Sequence, residues 1–495
     1  MNLGDERRVD SAQMTARKSL RWGWASVVLV LALLVPYAAC RHNRFPPRGD
    51  AAAVVVAVPH GDASVPPPKV LEQEPNDSPE QAQLLAFNPD WPVLSVEGTL
   101  SAPGEGKGKD VDVFKMLVPG RRREPSAPAP ILDSAQAEDP RSTARKLALE
   151  LTSEGANGLS LQLLDDGLQS METIAVDAGD TAGMPNMAVL SGRTYYFRVK
   201  AFAKLAKAAE TAPTNQAYKL TVQLGDFELS EEREPNDGME TAQPLVMVGA
   251  ADFAGFLGWY HDQDYYRISA PEIASALDVE VDALDGVAAS LQVLSGSGAR
   301  IAVGRGRKGE RLGLHNVSVP ASAADAGAGA QFLYVVVRGE SGHNRTQRYV
   351  LHLGMGMLRQ DAEIEPNDSP AQATTVRDGT ITGFLPVGDV DYFRYVSEGR
   401  REVTLELACP SHVRGKVEVV RPGDGAVVAT AEAKKAKQTV ELAKIPSLGE
   451  PLLVRVSQGK GDGNPNEPYS LRIGSTTTSA QNAGTTTSPS TLNPN

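Results

Sequence analysis

The stretch EQEPNDSPEQA, at residues 72–82, contains a polar corner that occurs three times in the chain. It returns as EREPNDGMETA at residues 232–242 and as EIEPNDSPAQA at residues 363–373. A single four-residue match could be chance, but three matches in matching contexts indicate an internal repeat. The chain is therefore expected to contain three related units.

Each unit spans about 130 residues once an insertion in the first unit is set aside. That insertion is residues 120–146, which are rich in Pro, Arg and Ala and show no strand pattern. We assign residues 70–226, 227–356 and 357–474 to the first, second and third repeat.

Every repeat has the same internal order of sequence patterns. The corner is followed by a short helix-like stretch, by a glycine-containing strand, and by an Asp-x-Asp that enters another strand as DVDVF, DQDYY or DVDYF. Each repeat closes on a Tyr-x-Leu-x-aliphatic strand that begins at Tyr218, Tyr349 or Tyr469. Alternation of apolar and polar residues with period two predicts strands with one buried face. Many short strands joined by polar turns predict an all-β chain of three tandem β-sandwiches.

One interpretation of the corner is the start of a helix. Asp77 or Ser78 would cap the first turn, Pro79 suits the first helical position, and Gln81 would complete a capping box. This interpretation does not explain the additional glutamate two places before each EPND. It also leaves the following Asp-x-Asp unexplained.

The other interpretation is a cation site built from oxygen ligands. Ca²⁺ takes about six to eight oxygens and accepts carboxylate, amide and carbonyl donors together. Carboxylates crowded in one place would repel one another without a cation, and no His or Cys accompanies them, which argues against zinc or copper. The candidate ligands are Glu72, Glu74, Asn76, Asp77, Asp110 and Asp112 in the first repeat, Glu232, Glu234, Asn236, Asp237, Asp262 and Asp264 in the second, and Glu363, Glu365, Asn367, Asp368, Asp389 and Asp391 in the third.

The order E-x-E-P-N-D, G-x-(I/L), D-x-D and Y-x-L-x-(V/I) resembles the bacterial pre-peptidase C-terminal domain family, to which the collagen-binding domains of clostridial collagenases are related. The resemblance covers residues 71–474 in three copies. It implies jelly-roll-like β-sandwiches and up to three Ca²⁺ ions held by the ligands named above. The first repeat departs most, because Val113 and Phe114 follow its Asp-x-Asp where the other repeats have two aromatic residues.

The N-terminal region has the layout of a secretory signal within residues 1–40. A basic start and an apolar run precede Ala38, Ala39 and Cys40, an ending that resembles a bacterial lipoprotein signal with a lipidated cysteine. Tyr37 departs from the usual branched aliphatic residue, and an uncleaved anchor is the alternative, since residues 22–39 are just long enough to span a membrane. Residues 41–69 are expected to form an extended tether and residues 475–495 a disordered tail. We therefore expect an extracytoplasmic protein of the bacterial cell envelope, attached to the outer membrane.

Catalytic and nucleic-acid functions find little support in the sequence. The net charge of −12 argues against a phosphate-binding surface, and neither H-E-x-x-H nor G-x-S-x-G occurs. A G-x-G-x-x-G at Gly304, Gly306 and Gly309 is followed by a strand pattern, whereas a dinucleotide site needs a helix there. We predict a non-catalytic binding or scaffold protein whose partner is an extracytoplasmic protein or polysaccharide. The alternatives are an accessory subunit that aids secretion or folding of a separate protease, and an enzyme with a site between modules.

Overall fold

The alternating segments of the chain pair into six β-sheets in the computed structural model. The structure describes residues 67–87, 92–101, 110–120, 139–202, 215–247, 249–322, 332–397, 399–459 and 463–477. Strands make up 61% of the structure, and no α-helix occurs in these ranges. The predicted all-β fold of repeated sandwiches is confirmed.

The first repeat contains two five-stranded sheets, ordered β1-β3-β10-β5-β8 and β2-β4-β9-β6-β7. Neighbouring strands are antiparallel except for the pairs β1–β3 and β2–β4, which are parallel. A short 3₁₀ helix, Pro140–Thr143, precedes β5. The strands are β1 (Lys69–Leu71), β2 (Gln83–Leu84), β3 (Val93–Leu100), β4 (Val111–Leu117), β5 (Arg145–Ser153), β6 (Gly158–Leu164), β7 (Ser170–Val176), β8 (Thr181–Val189), β9 (Thr194–Phe202) and β10 (Gln216–Asp226).

The second repeat has the same strand order in a four-stranded sheet, β12-β19-β14-β17, and a five-stranded sheet, β11-β13-β18-β15-β16. Its strands are β11 (Gln243–Leu245), β12 (Ala250–Leu257), β13 (Gln263–Ser269), β14 (Ser275–Val281), β15 (Ala288–Ser295), β16 (Arg300–Lys308), β17 (Leu312–Val319), β18 (Phe332–Ser341) and β19 (Asn344–Gly356). The glycines of G-x-G-x-x-G lie in β16 and its following turn, and the strand β17 comes next. The prediction that no helix follows them is confirmed.

The third repeat repeats this arrangement, with sheets ordered β21-β28-β23-β26 and β20-β22-β27-β24-β25. Its strands are β20 (Thr374–Val376), β21 (Gly379–Leu385), β22 (Val390–Tyr395), β23 (Arg400–Ala408), β24 (Gly415–Val420), β25 (Val427–Glu432), β26 (Thr439–Leu448), β27 (Leu452–Gln458) and β28 (Asn464–Thr477). The edge strands β8, β17 and β26 therefore occupy the same place in the three repeats.

Each repeat encloses its own hydrophobic core between its two sheets. The predicted inward-facing residues are buried, and Leu147, Leu149 and Leu151 of β5 are each at most 2% exposed. The tyrosines of the Tyr-x-Leu pattern, which lie within β10, β19 and β28, are among the largest fully buried side chains. Period-two alternation therefore identified the core faces correctly, because side chains of a strand point alternately to the two sides of the sheet.

Three predictions of local structure are wrong. The stretch after each corner forms turns rather than a helix: in the first repeat the Gln81 N–H donates to the Ser78 carbonyl at 3.0 Å, and no helical ladder follows. The insertion predicted to end at residue 146 ends earlier, because β5 begins at Arg145. The predicted tether and tail each lose residues to strands, since β1 begins at Lys69 and β28 ends at Thr477.

Several predictions fall on residues outside the described ranges. These are the signal segment with Cys40, most of the tether and tail, and most of the insertion. Within the described residues, no helix has the length and apolarity needed to cross a membrane. The repeat boundaries stay predictions, and the described residues all belong to one compact unit, residues 50–495.

Candidate metal centres

Two segments that are distant in sequence meet at the same end of each repeat. One is the corner E-x-E-P-N-D, and the other is the Asp-x-Asp at the start of β4, β13 or β22. Three carboxylates per repeat contribute oxygen atoms that all lie within 4.8 Å of one another. These groups are Glu72, Glu74 and Asp112, then Glu232, Glu234 and Asp264, then Glu363, Glu365 and Asp391. Both segments therefore contribute to one close group in each repeat, which contains two of the predicted glutamates and one of the three predicted aspartates.

The first glutamate of each group is fixed by a backbone donor on the neighbouring strand. That donor is the residue directly after the repeated glycine of β3, β12 or β21. The N–H to carboxylate distance is 2.7 Å each time, from Thr99 to Glu72, from Phe256 to Glu232 and from Phe384 to Glu363.

The second glutamate and the asparagine fold into a tight local turn. The Asn N–H donates to the carboxylate of the glutamate two places earlier, at 2.9 Å in Asn76, 2.5 Å in Asn236 and 3.1 Å in Asn367. The Glu-Pro peptide bond of each corner is cis. The asparagine carbonyl accepts from the strand that carries the second aspartate, with N–H to O distances of 2.9–3.1 Å from Val113, Tyr265 and Tyr392. The corner is thereby joined directly to the Asp-x-Asp strand.

In each repeat a tyrosine hydroxyl donates to the second aspartate of Asp-x-Asp, a role that the sequence analysis missed. Tyr218 Oη donates to Asp112 at 2.5 Å, and Tyr469 Oη donates to Asp391 at 2.7 Å. Tyr349 Oη binds Asp264 in the same way. These are the tyrosines of the Tyr-x-Leu pattern. The alternation pattern identified them only as core residues.

The repeated glycine leaves room for this tyrosine and for the first glutamate. A Cβ on Gly98 would lie 2.8 Å from Glu72 Oε2 and also against the Tyr218 hydroxyl. Gly255 has the same surroundings, with Glu232 Oε2 at 2.9 Å from such a Cβ. Since carbon atoms in proteins do not approach oxygen that closely, a side chain here would displace the carboxylate. The glycine of G-x-(I/L) is thus part of the site.

The remaining predicted ligands lie around the three carboxylates. The Asn236 amide donates to Glu232 at 2.9 Å. In the first repeat the Asn76 amide, in the orientation that satisfies both of its ends, donates to Glu74 at 3.2 Å and to Asp112 at 3.3 Å. The first aspartate of Asp-x-Asp and the aspartate of EPND lie outside the close groups of three. Asp262, for example, accepts from the Gly258 N–H at 2.5 Å, and its other oxygen has no partner.

Several buried oxygens of these sites have no hydrogen-bond donor. Burying a polar oxygen without a partner is costly, and such atoms are rare in folded proteins. They concentrate in the second and third sites, as Glu234 Oε1, Asn236 Oδ1, Asp262 Oδ1, Asp264 Oδ1, Asn367 Oδ1 and Asp391 Oδ1. One oxygen-binding cation in each site would supply these atoms with the partner that they lack.

Burial and mutual repulsion raise the pKa of the site carboxyls. Burial, then the charges of Glu232 and Asp262, holds the pKa of Asp264 well above its usual range. In the third repeat, burial and then the charge of Glu363 does the same to the pKa of Asp391. Burial also raises the pKa of Asp112 to about 8. Without a cation these groups favour their protonated forms, and a bound cation would displace the protons.

The donor set fits a hard divalent cation. Each site offers carboxylate and amide oxygens, and its ligand groups contain neither His nor Cys. Ca²⁺ suits such a set better than Mg²⁺, because Ca²⁺ accepts more ligands in less regular geometry. The sites differ in exposure: Glu74 is exposed, whereas Glu234 is 1% and Glu365 is 9% exposed.

Comparison with known proteins adds no argument about fold or function. The sequence matches no protein-family model and no curated protein. Among solved structures it is similar to the PBSX exported protein XepA (13% identity, 52% of this chain and 84% of that chain, TM-score 0.16) and to tripeptidyl peptidase 2 (11% identity, 79% and 24%, TM-score 0.17). A third is a structure of Sulfolobus turreted icosahedral virus (10% identity, 66% and 77%, TM-score 0.14). Similarities at this level carry no information about function.

Proposed function

We propose that the chain is a non-catalytic, extracytoplasmic binding or scaffold protein of three calcium-binding β-sandwiches of the pre-peptidase C-terminal type. The three modules occupy most of the chain, and each places turns and loops at the ends of its sandwich. These loops are the surfaces offered to a protein or polysaccharide partner. Cys40 would carry the lipid that holds the modules at the bacterial outer membrane.

One observation carries this proposal: the same network of glycine, tyrosine, asparagine and three carboxylates occurs in all three repeats. A corner that served only as a turn between strands would not need a carboxylate from a second segment, or a tyrosine that binds this carboxylate. Like charges in close contact are unfavourable without a cation. A divalent ion would join the corner to the Asp-x-Asp strand. In this role it replaces disulfides, since Cys409 is a free thiol.

The test of the calcium function is thermal unfolding of the purified chain with calcium and with a chelator. A ligand that binds only the folded state stabilises it by mass action, by about 2.7 kcal/mol at a concentration of 100 Kd. We expect higher unfolding temperatures in calcium and about three bound ions by titration calorimetry. An unfolding temperature indifferent to both conditions would refute the calcium function.

The membrane attachment is tested separately. Cys40→Ser should move the protein from the membrane fraction to the soluble fraction of the cell. Cys409→Ser is the matched control and should leave the protein with the membrane. Incorporation of a labelled fatty acid into Cys40→Ser would contradict a lipid at this cysteine, whereas membrane association without such a label in both the wild type and this variant would support the uncleaved anchor of residues 22–39.

A further inference from the structure

The corners of the second and third repeats dock on the repeat that precedes them. Glu234 pairs in parallel with Met187 of β8, and Glu365 pairs in parallel with Val317 of β17. At the first junction the Ala188 N–H donates to the Glu234 carbonyl at 2.7 Å, and the Glu234 N–H donates to the Asn186 carbonyl at 3.1 Å. A residue of the second metal site is therefore bonded on both sides to the edge strand of the first repeat.

Asn186 of the first repeat also reaches the second site with its side chain. Its Nδ2 donates to Glu232 Oε2 at 2.9 Å, and its Oδ1 has no hydrogen-bond partner. The residue is 0% exposed. Asn186 Oδ1 is thus a buried oxygen without a hydrogen-bond donor, and the nitrogen of the same side chain contacts a carboxylate of the second site. An oxygen in this environment is positioned as a metal ligand would be.

The loop that carries Asp262 also packs against the first repeat. Trp259, three residues earlier, is 7% exposed and belongs to the hydrophobic core of the first repeat. A Cβ on Gly258 would lie 3.0 Å from the Pro185 side chain. Both segments that supply the second site therefore rest on the neighbouring repeat.

A further group of the first repeat holds the corner of the second site. The Arg141 guanidinium donates to the Arg233 carbonyl at 3.1 Å and to the Pro235 carbonyl at 2.7 Å, on either side of Glu234. The first repeat thus positions this corner.

We propose that the second calcium site is shared between two repeats: Asn186 supplies an amide oxygen from the first repeat, so that the ion locks the first repeat to the second. This inference rests on the proposed calcium function. The third site differs, because the equivalent Asn316 donates to the backbone carbonyls of Arg359 at 3.0 Å and Glu363 at 2.5 Å rather than to a carboxylate. Asn316 is therefore the matched control.

The first experiment measures binding of Ca²⁺ and of the luminescent probe Tb³⁺ to the full chain. Trp259 lies close in sequence to Asp262, so Tb³⁺ luminescence excited through tryptophan reports the second site, and Trp259→Phe identifies that part of the signal. Loss of a residue that orients or completes a metal site lowers affinity by about 10- to 100-fold. We expect Asn186→Ala to weaken one of three sites by at least about tenfold, and to lose the Trp259-dependent signal at matched Tb³⁺ concentrations.

Asn186→Asp separates a ligand from a structural hydrogen bond. An aspartate keeps an oxygen at this position but cannot donate to Glu232, so affinity near that of the wild type supports ligation. Weakening equal to that of Asn186→Ala would overturn it. Asn316→Ala should leave the Trp259-dependent signal unchanged, and a folded Asn186→Ala protein with three unaltered sites would also overturn the inference.

The second experiment needs no variant and uses hydrogen exchange of the wild-type chain. Because the Ala188 amide bonds to Glu234, we expect calcium to slow exchange in residues 183–190 by about tenfold or more relative to chelator. Three bound ions without slower exchange in these residues would overturn the shared site and leave the calcium function standing. A wild-type chain that binds no ion would instead refute the proposed function itself.

Discussion

Replacing Glu365 by glutamine should stabilise the third repeat without calcium and abolish its response to calcium. Glu365 is 9% exposed and shares its site with Glu363 and Asp391. Its Oε2 accepts from the Asn367 N–H at 3.1 Å, and a glutamine oxygen can accept the same bond. The substitution therefore removes a charge and a strong ligand while it retains the shape of the side chain.

The magnitude follows from the titration of Glu365. Burial, and then the charge of Asp368, raises the pKa of Glu365 from 4.5 to about 7. Between these values the folded state holds a proton that the unfolded state has released, so the free energy of unfolding falls as the pH rises from about 4.5 to about 7. Each pH unit of this interval corresponds to about 1.4 kcal/mol. The cost in the calcium-free wild type is thus on the order of 3 kcal/mol at pH 8, and Glu365→Gln does not incur it.

The assay is denaturant unfolding of the full chain at pH 5 and pH 8, in chelator and in calcium. In chelator the variant should exceed the wild type in stability at pH 8, and the difference should shrink toward pH 5. In calcium at pH 8 the difference should nearly close at 100 Kd, where the wild type gains about 2.7 kcal/mol and the variant does not. The order should reverse at 1,000 Kd, where the gain of the wild type is about 4.1 kcal/mol. The exposed Glu441 of β26 provides the control Glu441→Gln, for which neither change is expected. A Glu365→Gln protein that is less stable in chelator at pH 8 and still responds to calcium in its third repeat would refute the reasoning.

Three further predictions concern the repeated glycine, the site aspartates, and the packing of Trp259 in the core of the first repeat. Gly383→Ala should weaken the third site, since the new methyl group meets Tyr469 and Glu363, whereas Gly474→Ala on the paired strand enters open space and should leave calorimetric binding unchanged. Asp112→Asn, Asp264→Asn and Asp391→Asn should each lower the calcium stoichiometry by one; three ions bound by any of them would contradict the assigned groups. Trp259→Ala should destabilise the first repeat by about 3–5 kcal/mol, as read from its unfolding midpoint, and the 67% exposed Tyr260→Ala should change it little.

The sandwich fold was predictable because its determinants are local and repeated. Alternation with period two identified buried positions such as Leu149 and Leu405 without any knowledge of strand pairing. The convergence of the corner with Asp112 was predictable for a different reason. Acids that recur together in three copies are expected to act together, and close carboxylates repel one another unless a cation or protons neutralise them.

The helix predicted after the corner was wrong because tertiary contacts outweigh local capping signals. The pattern at Ser78 and Gln81 suits a helix start, but the preceding asparagine is joined to the Asp-x-Asp strand, through the Val113 N–H to the Asn76 carbonyl at 2.9 Å. The next strand, β2, already begins at Gln83. Only a turn fits in this interval.

The tyrosines and Asn186 were missed for two physical reasons. A tyrosine in an alternating strand satisfies the core pattern with its ring, so the pattern says nothing about its hydroxyl; the signal was its recurrence together with the glycine. Asn186 lies in the preceding repeat and has no counterpart in the corner motif. Its contact with Glu232 depends on how two repeats dock, which no pattern within one repeat encodes.

The parallel bridge between a corner and the edge strand before it has a consequence for the length of such chains. At each junction the corner of one repeat pairs with the edge strand of the repeat before it. The third repeat has an equivalent edge strand, β26, which is the counterpart of β8 and β17. A duplicated unit could dock its corner on such an edge strand in the same way, without any new type of interface. Arrays of this type grow or shrink by whole units, as in other proteins whose repeats contact only their neighbours.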